Sequence, residues 1–169
     1  WIYVPSRRER FDYSHDGVLR SQEASLERLG LDRVDLLYVH DLDIFTHGSS
    51  EARDARLAEF MASGYKALLS LREQGVVRAI GAGMNQWQME LQFAREGHSD
   101  CFLLAGRYTL LDQSALPEFL PYCVEHHIGV VAGGPYNSGI LAVGPRDGAT
   151  FNYRAASADM MDKARRIGA

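Results

Sequence analysis

Four positions along the chain combine the end of an apolar run with residues that can bind a ligand. His40 ends VDLLYVH, Asn85 comes just after VVRAIGAG, Arg107 and Tyr108 follow CFLLAG, and the glycine-rich stretch 133–138 begins at the end of IGVVAGG. The carboxyl ends of parallel strands share one edge of a sheet, and ligands bind at that edge. If the four runs are parallel strands, these groups are neighbours in space and form a binding site.

Each of these residues also has a purely structural interpretation. His40 could hydrogen-bond in the core or face solvent, and Asn85 could cap a helix that begins near Trp87. Tyr108 could pack against the sheet edge, and the glycine stretch could be only a turn. Glycines nevertheless let a ligand approach backbone N–H groups closely. The convergence of four clusters favours a site more than any single residue does.

Alternating helix and strand signals predict the elements that position these groups. Ser14 to Asp16 is typical of a helix start, and apolar residues then recur at helical spacing until Gly30. VDLLYVH predicts a strand that is buried on both faces, and the polar segment 42–56 predicts a long loop. The other predicted elements are helices over 57–75, 86–96, 116–127 (shortened by Pro121) and 156–169, and strands over 76–83, 101–106 and 128–134.

Strand–helix alternation predicts an α/β fold with a parallel sheet and right-handed crossovers. Two architectures fit this pattern, an open doubly wound sheet and a part of a (β/α)8 barrel. A complete barrel needs eight strands and about 250 residues. Only four clear strands are found in the 169 residues.

Charge and composition argue against several classes of function. The formal net charge is −4, so we expect no nucleic-acid partner. No apolar run approaches the roughly 18 residues of a membrane span, and the N-terminus lacks a signal-peptide pattern. Cys101 and Cys123 suggest neither a disulfide framework nor a zinc site, and His126 and His127 lack other ligands at suitable spacing. We therefore expect a cytoplasmic protein without a metal.

Two phosphate-binding motifs are incomplete in this sequence. IGAGMNQ places Gln86 where the dinucleotide fingerprint needs its third glycine, and no acidic residue ends a strand about twenty residues later. The stretch 134–139 has the spacing of a P-loop, but Ile140 and Leu141 replace the lysine and hydroxyl residue.

The segments LDRVDLLYVHDLD, GVVRAIGAGMNQ, GRYTLLDQ and GVVAGGPYNSGIL together resemble the aldo-keto reductases, over nearly the whole chain. FDYSHDGVLRSQEASLERLG and GATFNYR are similar to the sugar-oxidising branch, the D-threo-aldose 1-dehydrogenase, L-fucose dehydrogenase and pyridoxal 4-dehydrogenase type. The resemblance implies a (β/α)8 TIM barrel of which this chain represents about half. Residues 1–169 would then be one domain, from about the third helix to the helix after the seventh strand.

The resemblance also implies roles for individual residues. His40 matches the active-site histidine, which donates a hydrogen bond to the substrate oxygen and orients it. Asn85 matches the asparagine that holds the carboxamide of the nicotinamide cofactor, NAD or NADP. The loop that contacts the cofactor pyrophosphate matches Gly134, Tyr136, Asn137 and Ser138. Two positions depart from the family pattern, because Ala105 replaces a glutamine and Gly133 replaces the aromatic residue that stacks on nicotinamide; Tyr136 is a candidate to replace that stacking.

The activity implied by the resemblance is hydride transfer between nicotinamide and the carbonyl or hemiacetal carbon of a sugar or other aldehyde, with aldose oxidised to lactone. The family's acid–base tyrosine, its lysine and a supporting aspartate lie upstream of the histidine strand. The only lysines here, Lys66 and Lys163, both follow His40. We therefore expect the chain to be the middle of a longer enzyme and to be inactive alone, with homo-oligomerisation left open.

Two alternatives stay open from the sequence. The first is a non-catalytic aldo-keto reductase-like binding or scaffold protein, and the second is a hydro-lyase or isomerase barrel in which His40 acts as a base. Asp41 and Asp43 could bind sugar hydroxyls, or they could be surface acids at a strand end.

Overall fold

The computed structural model describes residues 10–168, and its centre is a four-stranded parallel sheet in the order β1-β2-β3-β4. Strand order therefore follows chain order, and helices connect the successive strands. The strands are β1 (Leu36–His40), β2 (Ala79–Met84), β3 (Cys101–Ala105) and β4 (Gly129–Gly133). All four predicted strands are found, each one or two residues shorter than the apolar run that predicted it.

The helices are α1 (His15–Leu29), α2 (Ile44–His47), α3 (Ser50–Glu59), α4 (Tyr65–Glu73), α5 (Trp87–Glu96), α6 (Phe119–Glu125), α7 (Ile140–Val143) and α8 (Ala158–Ile167). A π-helical segment, Phe60–Gly64, joins α3 to α4, and a 3-10 turn, Asn137–Gly139, precedes α7. A short antiparallel hairpin pairs β5 (Thr150–Phe151) with β6 (Arg154–Ala155). No helix in the described part of the chain is long and apolar enough to cross a membrane.

The first helix is confirmed with its predicted limits. The Ser14 side chain accepts a hydrogen bond from the N–H of Gly17 at 3.1 Å, which satisfies one of the free donors of the first turn. Gly30 ends the helix with φ of 64°, a left-handed conformation that glycine adopts without strain.

The prediction of a loop over 42–56 is wrong, because this segment contains α2 and most of α3. Two caps start these helices: the Asp43 carboxylate accepts from Thr46 N–H at 2.8 Å, and the Ser49 hydroxyl accepts from Ala52 N–H at 3.2 Å. The polar composition that predicted a loop therefore consists partly of capping residues. The following helix accordingly begins at Ser50 rather than at Leu57.

Two further predicted elements need correction. The helix predicted over 116–127 begins only at Phe119, which leaves Pro121 in its first turn, where the missing N–H breaks no intrahelical bond. The final helix spans Ala158–Ile167 rather than 156–169, and Ala169 lies outside the described residues.

The hydrophobic core lies between one face of the sheet and the helices. Four fully buried phenylalanines form a continuous series of ring contacts, with centroids 5.5 Å apart for Phe60–Phe93, 6.2 Å for Phe93–Phe102 and 5.5 Å for Phe102–Phe119. This series connects the π-helical segment, α5, β3 and α6. The Phe93–Phe102 and Phe102–Phe119 contacts are edge-to-face, a geometry that adds to the free energy gained by burial.

Within residues 10–168 the opposite face of the sheet, which is the inner face of a (β/α)8 barrel, is more open than the face covered by helices. In β1 only Val39 is buried, and in β4 the side chain of Val131 is 47% exposed. Glycines are frequent on this face, at Gly81, Gly83 and Gly133. A Cβ at Gly81 would overlap the carbonyl oxygen of Cys101, whereas a Cβ at Gly83 would make ordinary contacts at 3.5 and 3.6 Å.

These two glycines of β2 give a matched test of the sheet. We expect Gly81→Ala to lower the free energy of unfolding by about 2–3 kcal/mol, because β3 must move away from β2 to admit the methyl group. Gly83→Ala should change it by less than about 1 kcal/mol. Urea unfolding of the two variants measures the difference, and equal effects would contradict the close approach of β2 and β3.

Candidate functional site

His40 lies at the carboxyl end of β1, opposite Gly83 in the register with β2. The ring is on the open face of the sheet, where its Cδ2 atom would be 3.6 Å from a Cβ at Gly83. The His40 side chain is 71% exposed. His40 is therefore not part of the hydrophobic core that the described residues form.

Asp41 follows His40 with φ of 58°, a left-handed conformation that is uncommon outside glycine. This turn brings the carboxylate back to its neighbour, with Asp41 Oδ1 3.0 Å from His40 Nδ1. The hydroxyl of Tyr13 lies within hydrogen-bond distance of the carbonyl oxygens of His40 and Asp41, at 3.1 and 3.0 Å, and donates to them. Burial raises the pKa of Tyr13 well above its ordinary value, so this hydroxyl stays protonated.

Sequence reasoning did not identify this role of Tyr13. Its ring is buried and stacks at 6.3 Å from Phe11, and His47 Nε2 is 3.3 Å from its hydroxyl. Tyr13 therefore fixes the backbone that carries His40 and Asp41. A tyrosine just before a helix cap gives no sequence signal for a hydrogen bond made 27 residues later.

Asp43 differs from Asp41 in burial and in partners. Its side chain is only 1% exposed, and its carboxylate caps α2. Gln86 ties the same segment to the end of β2, because its Oε1 accepts from Ile44 N–H at 2.7 Å. The carboxylate of Asp43 is therefore engaged in the fold, whereas Asp41 is the acidic residue that contacts His40.

Asn85 does not cap a helix, since Gln86 occupies the N-cap position of α5. The Asn85 side chain instead donates from Nδ2 to the carbonyl oxygen of Ala105 at 3.3 Å, across the ends of β2 and β3. None of the described residues donates to its Oδ1. Asn85 therefore presents an amide acceptor at the strand-end edge.

Arg107 connects the segments around Asn85. Its Nε donates to the Asn85 carbonyl oxygen at 2.9 Å, and its Nη1 lies 3.1 Å from the Asp112 carboxylate and 3.0 Å from Asn152 Oδ1. The side chain is only 20% exposed. One guanidinium thus joins the ends of β2 and β3 to the β5–β6 hairpin, a geometry that suits the rigid fork of arginine.

Glu90 supports the same strand end from the helix side of the sheet. Its side chain is 0% exposed, and Oε1 accepts from Met84 N–H, next to Asn85, at 3.1 Å. Its other oxygen, Oε2, is buried without a hydrogen-bond partner among the described residues. Burial raises the pKa of Glu90 to about 9, so the carboxyl group is protonated at neutral pH.

The loop after β4 contains the remaining predicted residues. Gly134 has φ of 57°, and Asn137, Ser138 and Gly139 follow with φ of 46°, 59° and 100°. Asn137 is buried: its Nδ2 donates to Gly106 O at 3.2 Å, while its Oδ1 has no partner within residues 10–168. The Ser138 hydroxyl accepts from the N–H of Tyr153 at 3.0 Å.

Tyr136 and Tyr108 flank an open groove of about 550 Å³ that is lined mostly by apolar side chains. Their side chains are 61% and 47% exposed, so neither ring is held in the core. Tyr136 is therefore available to a ligand, and so is Tyr108.

The four clusters are neighbours, as the sequence predicted. His40 pairs with Gly83, Asn85 bonds to Ala105, and Ala105 pairs with Gly133. The sequence did not reveal the structural roles of Tyr13, Glu90 and Arg107, which support the strand ends.

Comparison with known proteins identifies what this chain is similar to. The sequence model of the Aldo/keto reductase family matches residues 5–168. Pyridoxal 4-dehydrogenase of Microbacterium luteolum is 43% identical over 161 residues, which cover 95% of this chain and 46% of that protein. D-threo-aldose 1-dehydrogenase of a Pseudomonas species is 40% identical over 170 residues, which cover 99% of this chain and 49% of that protein. The chain thus spans about half the length of the curated relatives it matches.

A solved aldo-keto reductase from Bacillus halodurans superposes with a TM-score of 0.64 at 23% identity, and the match covers 85% of this chain and 45% of that structure. At that identity the likeness shows the fold. It confirms that the four parallel βα units are part of a (β/α)8 barrel.

Arg107 can be tested against an exposed arginine. We expect Arg107→Lys to lower the free energy of unfolding by about 1–2 kcal/mol, because an ammonium group cannot reach three separate acceptors. Arg78→Lys is the control, since Arg78 is 82% exposed and 3.7 Å from Asp35, and its effect should be below about 0.5 kcal/mol. Urea unfolding measures both changes, and an equally small effect for Arg107 would contradict its connecting role.

Glu90 predicts a pH dependence of stability. Its folded pKa, about 9, lies above the ordinary value of 4.5, so the folded state holds a proton that the unfolded state releases. The stability that this proton gives the folded state is complete below the unfolded pKa. It is lost as pH rises from there through the folded pKa, at up to about 1.4 kcal/mol per pH unit. Glu90→Gln should flatten the profile between about pH 5 and pH 9.

The control for this prediction is Glu96→Gln, on the exposed side of the same helix. Unfolding free energies of both variants and the unchanged chain are measured at several pH values. A profile that keeps its slope in Glu90→Gln would show that Glu90 is not the group that titrates.

Proposed function

Because the chain belongs to the aldo/keto reductase family, we propose that the protein containing it is an NAD(P)-dependent oxidoreductase. It moves a hydride between nicotinamide and the carbonyl or hemiacetal carbon of a small aldehyde or sugar. The observation that carries the proposal is the placement of His40 and Asn85 on adjacent strand ends, with Gly83 leaving space beside the His40 ring. The names of the two relatives, a pyridoxal and an aldose dehydrogenase, support this substrate class.

In this proposal residues 1–169 form part of one barrel domain. Strands β1 to β4 correspond to strands four to seven, and α8 to the helix after the seventh strand. In this proposal the acid–base tyrosine and its lysine are supplied by parts of the protein other than residues 1–169, because the two lysines of this chain, Lys66 and Lys163, both follow His40. The chain by itself should therefore have no normal turnover.

The residues at the strand ends fit a nicotinamide cofactor. The Asn85 amide oxygen can accept from the carboxamide of the nicotinamide, and the Nδ2 bond to Ala105 fixes its orientation. Gly134 and the left-handed residues Asn137 and Ser138 turn the loop so that backbone N–H groups can face a pyrophosphate. Tyr136, exposed beside this loop, can cover one face of the bound group. The cofactor supplies the hydride acceptor or donor.

The residues of this chain position the substrate. His40 contacts the substrate oxygen and holds the reacting carbon toward the strand-end edge. For an aldose in its ring form the reacting group is the anomeric C–OH, and its oxidation gives a lactone. The 40% identity to an aldose 1-dehydrogenase supports this direction.

A chimera tests the proposal. The part of the Pseudomonas D-threo-aldose 1-dehydrogenase that aligns with this chain is replaced by residues 1–169, so that the relative supplies the rest of the barrel. We expect formation of reduced cofactor from an aldose, a loss of about 10²–10³-fold in kcat for His40→Ala, and a raised KM for the cofactor in Asn85→Ala. Absorbance of the reduced nicotinamide follows the reaction.

His98→Ala is the matched control, because His98 is exposed and precedes β3, at the opposite end of the sheet from His40. It should leave the rate unchanged. A folded chimera without activity would favour the non-catalytic binding protein. An active chimera that tolerates His40→Ala would refute the role of His40.

A further inference from the structure

We propose that Arg107 is a positioning residue for the nicotinamide cofactor: it orients Asn85, and the β5–β6 hairpin holds it in place. This inference rests on the proposed function for the contact between Asn85 and the cofactor. It deepens that proposal, because it gives a part in cofactor binding to the hairpin formed by GATFNYR, a sequence that the proposed function leaves without a role.

The first argument is that residues at the end of β3 hold Asn85 at two points. The main-chain carbonyl oxygen of Asn85 accepts a hydrogen bond from Arg107 Nε at 2.9 Å, and its side-chain Nδ2 donates to the Ala105 carbonyl oxygen at 3.3 Å. One bond fixes the main chain and the other fixes the amide group. The direction of Asn85 Oδ1, the atom that the proposed function assigns to the nicotinamide carboxamide, therefore depends on both.

The second argument concerns the charge of Arg107. Its Nη1 lies 3.1 Å from Asp112 Oδ2, and both side chains are only 20% exposed. The carboxylate offsets the charge of the guanidinium group, so Arg107 does not serve as a free cation for an anionic ligand. What the guanidinium group provides is geometry, because its planar fork directs Nε and Nη1 to separate acceptors, whereas a lysine has a single nitrogen.

The third argument is the conformation of the hairpin where it meets Arg107. Phe151 pairs with Arg154, and the two residues between them, Asn152 and Tyr153, have φ of 49° and 62°. Positive φ at both central positions is the pattern of a type I′ turn, in which asparagine is favoured. The turn places Asn152 Oδ1 3.0 Å from Arg107 Nη1, so the tip of the hairpin holds the guanidinium group.

The fourth argument is that the same hairpin is fastened to the loop after β4. The N–H of Tyr153 donates to Ser138 Oγ at 3.0 Å, and Thr150 Oγ1 donates to the Ser138 carbonyl oxygen at 2.7 Å. The hairpin thus bonds directly to the loop and, through Arg107, to Asn85. A change at Asn152 should therefore alter Asn85, although these two residues share no hydrogen bond in the described part of the chain.

The first measurement reads the surroundings of Asn85 without a cofactor. ¹H–¹⁵N correlation spectra of the 169-residue chain contain its side-chain amide signal, which is assigned by its absence in Asn85→Asp. We expect Arg107→Lys and Asn152→Gly to shift this signal, because the first removes and the second loosens the bond to the Asn85 carbonyl oxygen. Asn152→Asp keeps an oxygen acceptor in a left-handed conformation and should leave the signal in place, as should the exposed control Arg78→Lys.

The second measurement is the Kd of NADH and NADPH for the chimera, read from nicotinamide fluorescence. We expect Arg107→Lys to raise the Kd of the bound cofactor about tenfold and Asn152→Gly about threefold, the scale of one hydrogen bond lost or weakened. The double variant should bind no more weakly than Arg107→Lys alone, because Asn152 acts through Arg107. The KM for the aldose should stay unchanged in all three variants.

The inference is wrong if the Asn85 signal does not move in Arg107→Lys, or if the effects of Arg107→Lys and Asn152→Gly on Kd add as they would for independent sites. A merely structural role would lower the free energy of unfolding and leave the Kd of the folded chimera unaltered, which also overturns it. Failure of the proposed function would appear differently, as an unchanged chimera that binds no cofactor. The Asn85 spectra of the chain would then decide the positioning role by themselves.

Discussion

The parallel register of the four strands is the constraint on which the candidate site depends. It places His40 beside Gly83, and Ala105 beside Gly133, so that each strand ends at the same edge. Parallel pairing requires a long connection between strands, and here the helices that make those connections also cover one face of the sheet. The other face carries Gly81, Gly83 and Gly133 and ends at His40.

Polar groups away from the open face maintain the positions of the strand ends. Tyr13 bonds to the backbone at the end of β1, Glu90 to the backbone at the end of β2, and Arg107 to the carbonyl oxygen of Asn85. Each of them bonds to a main-chain group. These contacts therefore fix the direction of the strand end, and not only the orientation of one side chain. Supporting contacts of this kind hold a site in the geometry that binding or catalysis needs.

The membership of the chain in the aldo/keto reductase family and its length relative to its relatives bear on the site in different ways. Family membership makes a nicotinamide-dependent reaction the proposal that the strand ends support. The chain spans about half of each of these relatives, so the activity of the whole protein is a proposal. In the proposed function this part of the barrel positions substrate and cofactor through His40, Asn85 and the loop after β4.

The sequence by itself determined the alternation of strands and helices, the four strand ends that carry His40, Asn85, Arg107 and the glycine loop, and the family. These features follow from local patterns of apolar residues, caps and glycines, which act over a few positions. The sequence was misleading where one residue type serves two purposes, as at Asp43 and Ser49, whose capping bonds make helices of a segment with the composition of a loop. Only the tertiary structure decided that Tyr13 fixes β1, that Glu90 is buried and protonated, and that Asp41 turns back to His40. Those features depend on burial and on hydrogen bonds between distant segments, or on a backbone angle that a buried tyrosine holds in place, and no local pattern encodes them.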